Sequence, residues 1–102
     1  MLARKCRYSL QSDATIYAEI IIKPCCTIVI SVPKMGQRIK SKLALIHFTP
    51  SEKNVLLECY AKDTVESKSI ILDLSYRDAL ELCQTIDAVK EEHEILMSDL
   101  CY

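Results

Sequence analysis

Ser75–Leu100 reads SYRDALELCQTIDAVKEEHEILMSDL. Ala79, Leu82, Ile86, Val89, His93, Leu96 and Leu100 recur in it at alternating spacings of three and four. That spacing draws a narrow stripe down one side of a helix, close to the a/d seam of a coiled coil. Ser75, with Asp78 three residues on, has the form of a capping box in which Asp replaces the usual Glu or Gln. No Pro or Gly interrupts the run, so the spacing predicts a helix over 75–100. A helix that only covers a sheet usually shows a wider apolar face than an a/d seam. Leu80, Cys83 and Met97 widen this one. At ~1.5 Å per residue such a helix spans roughly 37 Å, longer than most strands of a small sheet. The part up to about Val89 is therefore expected to cover a sheet. His93, Leu96, Met97 and Leu100 are expected to project beyond it.

The residues before the helix read as strands. Residues 5–10 alternate Cys6, Tyr8 and Leu10 against Lys5, Arg7 and Ser9, the pattern of a half-buried strand. Residues 15–23 place Ile16, Ala18, Ile20 and Ile22 on one face, and residues 27–32 do the same with Ile28, Ile30 and Val32. Both runs are β-branched, as strands prefer. Pro33–Lys42 holds the only glycine and four cations, and reads as a loop leading into a strand, with or without one helical turn. Residues 43–49 are apolar on both faces and read as a strand that is central or carries a bulge. Residues 54–61 and 69–74 complete the set, with a polar turn at Lys62–Ser67 between them. Short links between successive strands favour antiparallel pairing. The expected fold is α+β: an antiparallel sheet or partly open barrel of about six strands, capped by the long C-terminal helix. Residues 1–102 are expected to form a single domain, strand-rich over 5–74 and helical over 75–100.

Composition narrows the function. The chain has 102 residues, 50% apolar and 26% charged, which favours a folded protein over a disordered one. No apolar run approaches the ~18–20 residues that cross a bilayer. The basic start MLARKCRYSLQ has no apolar signal core after it, so no secretion signal is expected and the expected location is cytoplasmic or nuclear. The cysteines number six and form no C-x-x-C pair; in that compartment they are expected to be free thiols acting as small apolar residues. Net charge is −1, but unevenly spread. Through residue 49 there are eight Lys/Arg against two Asp/Glu; beyond it there are five against twelve. A basic strand-rich half thus joins an acidic helical half.

A run of six or seven antiparallel strands closed by one C-terminal amphipathic helix resembles the pleckstrin-homology-like superfold. The resemblance covers most of the chain and rests on the order of elements. Phosphoinositide-binding members carry a basic signature between their first two strands. Here the nearest equivalent, Lys34 with Arg38, Lys40 and Lys42, follows the third expected strand.

An active site needs polar groups converging in a pocket, and the sequence offers no such constellation. His47 lies within an apolar strand and His93 in the helical stripe. With one glycine there is no phosphate-cradling loop. No catalytic residue, metal ligand or cofactor is expected. The leading expectation is a non-enzymatic interaction or assembly domain, an adaptor that binds a protein partner or a second copy. Its partner-binding residues would be Ile86, Val89, His93, Leu96, Met97 and Leu100. The alternative is an anion-binding module, using Lys34, Arg38, Lys40 and Lys42 on a phosphoinositide, another anionic lipid or nucleic acid.

Overall fold

Alternating side chains set the strands. In the computed structural model, which describes residues 2–62 and 67–100, β1 (Arg4–Ser9), β2 (Tyr17–Lys23), β3 (Thr27–Val32) and β4 (Gln37–Lys42) form one antiparallel sheet in that order. A second sheet holds β5 (Ile46–Pro50), β6 (Val55–Lys62) and β7 (Ser67–Leu74). Helix α1 (Tyr76–Leu100) follows. The layout is α+β with seven strands, and the two sheets do not close into a barrel.

The fourth strand corrects the sequence reading. Residues 37–42 were expected in a loop, yet they pair with β3 from Val32↔Gln37 to Thr27↔Lys42. Only Ile39 on this strand is large and apolar, so hydrophobic alternation is faint. Pairing nevertheless buries Ile39 and Ser41 and turns Arg38, Lys40 and Lys42 outward. The loop itself shrinks to a 3-10 turn, Pro33–Met35, closed by Gly36 at φ 63°. That left-handed conformation suits glycine, and the Gly36 amide donates to the Pro33 carbonyl at 3.1 Å.

The stretch 43–49 is likewise not a central strand. Leu43–Leu45 form a second 3-10 turn, and β5 is an edge strand paired only with β6. Its apolar character has two sources. Leu43 enters the core from the turn, while Ile46 and Phe48 pack against the core from the strand. Residues 63–66, the centre of the expected polar turn, lie outside the described residues.

The inward faces of both sheets and one face of α1 make a single hydrophobic cluster. Ile20, Ile22, Ile28 and Ile30 come from the first sheet, Leu57, Cys59, Leu72 and Leu74 from the second, and Ala79, Leu82, Ile86 and Val89 from the helix. The sheets are also tied by polar links. The Gln11 amide donates to the Asp73 carbonyl at 2.9 Å, and the Ser41 hydroxyl donates to the Tyr60 carbonyl. The helix lies on the inner side of β1, where Arg4 pairs with Glu92 and the Tyr8 hydroxyl donates to Glu81 at 3.4 Å.

Ser75 caps the helix as its spacing predicts. Its Oγ accepts the Asp78 amide at 3.1 Å, satisfying one of the orphan donors of the first turn. Ser75→Ala is expected to cost about 1 kcal/mol of unfolding free energy, read as a lower urea midpoint, whereas Ser75→Asp should retain most of it.

Candidate interaction surfaces

The apolar stripe of α1 meets two different environments. Its proximal members, Ala79, Leu82, Ile86 and Val89, are buried against the sheets. Beyond Val89 no helical residue is buried. Leu96, Met97 and Leu100 are 41, 46 and 70% exposed, and His93 is half-buried. The candidate partner-binding set therefore splits. Ile86 and Val89 belong to the core and are closed to a partner, and His93, Leu96, Met97 and Leu100 form an overhanging stripe. Leu80, expected to widen the stripe, instead points to solvent at 60% exposed. Ile95 is also exposed but lies on the other side of the helix, outside the stripe. By the same helical geometry Asp99 and Glu92 border the stripe on one flank and Glu94 on the other.

The candidate anion-binding residues do not stay together as a loop. Lys34 sits on the 3-10 turn and donates from Nζ to the Thr15 hydroxyl at 2.9 Å. Asp13 stands beside it, its carboxyl held below the usual range chiefly by hydrogen bonds from Thr15 and then by the Lys34 charge. Arg38, Lys40 and Lys42 instead point out from β4. The cross-strand register brings them onto one face with Lys5, Arg7 and Lys23. Sequence reading missed those three partners. The period-2 alternation showed that they point away from the core, but which strands neighbour each other depends on pairing that local pattern does not encode.

Among the described residues no catalytic constellation converges. His47 is exposed on β5, its ring edge-on to Tyr60 with centroids 6.1 Å apart. His93 lies on α1. Among the described residues no group of His, Cys, Asp or Glu is placed to hold a metal ion, and no helix is long and apolar enough to cross a membrane. A depression of about 530 Å³ runs beside Lys40, Lys42, Ala44 and Leu45. Of the hydroxyls that line it, Ser41 is already bonded to the Tyr60 carbonyl and Thr27 to the Cys25 thiol. Cys6, Cys25, Cys26, Cys59 and Cys83 are free thiols, and Cys101 lies outside the described residues. No protein-family model matches the chain, and no curated protein does.

Proposed function

We propose that this protein is a non-enzymatic assembly module, pleckstrin-homology-like in layout, that associates through the overhanging end of α1. The observation that carries the reading is the change of environment at Val89. One continuous stripe is core before it and solvent-facing after it. Burying Leu96, Met97 and Leu100 would contribute about 1.5–3 kcal/mol each. Against an association cost of about 4–15 kcal/mol, the best case leaves about 5 kcal/mol, which supports contact in the range of hundreds of micromolar or weaker. An exposed apolar stripe of this kind supports reading the overhang as an interaction site.

The test is Leu96→Asp together with Leu100→Asp. Wild-type protein is expected to show a mass by light scattering that rises with concentration. The double variant should stay at monomer mass and keep the wild-type circular dichroism. Loss of the folded spectrum would place the distal helix in the core and remove the main support of the reading.

A further inference from the structure

We propose that the overhanging stripe of one copy docks on the outward face of the four-stranded sheet of the next, so that copies join head to tail. The inference rests on the assembly reading above and names the surface that receives the helix.

That outward face has a definite layout. The register sets Lys5, Ile21, Val29 and Lys40 in one row across the sheet, and Arg7, Glu19, Ser31 and Arg38 in the next. Lys23, Thr27 and Lys42 make a third row. Five of the six cations stand on the two edge strands and Lys23 on central β2, while the central strands set Ile21 and Val29 between Glu19 and Ser31 on one side and Lys23 and Thr27 on the other. Ile21 is half-buried, and Val29 is buried although it takes no part in the core cluster. Between Lys5, Arg7, Glu19 and Ile21 the surface dips into a depression of about 180 Å³. Six cations and one carboxylate give this face a charge of +5. Arg7 sits over the Tyr17 ring with its Cζ 3.7 Å from the ring centroid, which keeps its charge on the rim.

The overhang is the complement of this layout. It carries an apolar stripe bordered by Glu92 and Asp99 on one side and Glu94 on the other. Residues 90–100 have one Lys and four carboxylates, a net −3. Strands about 4.8 Å apart put the cationic rims roughly 14 Å from each other. A helix with its side chains is about 10–12 Å across, so it fits between them. Symmetric pairing of two overhangs would set −3 against −3, whereas docking on the sheet sets −3 against +5. A chain cannot satisfy its own face. Its helix packs on the opposite side of the first sheet, where Glu92 meets Arg4. The acceptor must belong to another copy, and a heterologous contact that does not close on itself extends into open chains.

The experiment mixes two defective copies. Leu96→Asp/Leu100→Asp has a spoiled helix and an intact face. Lys5→Glu/Lys40→Glu has a spoiled face and an intact helix, and both changed residues are exposed, so the fold should persist; Arg38→Glu/Lys42→Glu serves as a second face variant. Each alone should be monomeric, the face variants binding at least about tenfold more weakly than wild type. Mixed in equal amounts, one helix variant and one face variant should form a one-to-one dimer and nothing larger, by sedimentation velocity. Wild type should grow past dimer and disperse in high salt. If face variants keep the wild-type mass while the helix variant is monomeric, head-to-tail docking is wrong and the assembly reading survives. If they keep that mass but lose binding to phosphatidylserine vesicles or duplex DNA, the face serves a polyanion and the proposal is likewise overturned. If the helix variant itself keeps the wild-type mass, the assembly reading has failed.

Discussion

Leu82→Ala is expected to lower the unfolding free energy by about 2–5 kcal/mol, while Leu96→Ala, fourteen residues along the same stripe, should change it by less than about 0.5 kcal/mol. Leu82 is fully buried where α1 meets both sheets. Truncation there removes transfer free energy and leaves a cavity, because the surrounding β-branched side chains cannot close over it. A domain of this size has about 5–15 kcal/mol of stability in all, so the loss is a large share. With a urea slope of about 1–3 kcal/mol/M, the midpoint should fall by about 0.7 M or more. Leu96 loses only surface contacts in the monomer, and alanine is the better helix former. Its truncation should appear in association instead. Equal midpoint shifts for the two variants would show that the overhang is packed and that the boundary at Val89 is misplaced.

The helix was legible because its signals agree. Stripe, cap and the absence of breakers all point to 75–100, and the structure begins the helix at Tyr76 with Ser75 as its cap. The strands with two or more inward β-branched residues were legible for the same reason. β4 was not, because it offers a single large apolar residue and five charged or polar neighbours. Its strand character comes from pairing with β3, a tertiary effect that overrides local composition. The stretch 43–49 misled in the other direction. A turn and a strand both feed the core, so apolar residues run together and mimic a central strand.

The candidate surfaces follow the same logic. Nothing in the periodicity of α1 changes at Val89, since the stripe runs on through Leu96 and Leu100. What changes is the reach of the sheets beneath it. The basic face is a matter of register. Lys5 and Lys40 are far apart in the chain and meet across two intervening strands only because β1 pairs with β2, β2 with β3 and β3 with β4.

The cysteines should divide sharply by reactivity, with Cys25 modified by iodoacetamide roughly a thousandfold or more faster than Cys59. Cys25 is exposed in the β2–β3 turn, and the Thr27 hydroxyl 3.2 Å from its Sγ pulls the thiol below its ordinary range, helped by Lys23. More thiolate means faster attack. Cys59 is fully buried on β6; desolvation lifts its thiol, and Ser41 only partly opposes this. It can react only when the core opens. The same shift makes stability depend on pH. Burial likewise raises the Tyr8 phenol well above its usual value, reinforced by Cys6 and Glu81. Both groups hold their protons more tightly folded than unfolded. Their contribution is complete below the unfolded thiol value of 9.0 and is lost as pH rises past it, because the unfolded chain then ionises first. Urea midpoints should therefore be level between pH 7 and 8 and decline above about 9. Cys59→Ala should lower the midpoint throughout, through its cavity, yet decline less steeply above pH 9 than wild type. An unchanged alkaline slope in that variant would mean that Cys59 does not hold its proton against solvent, and that the core around β6 is open.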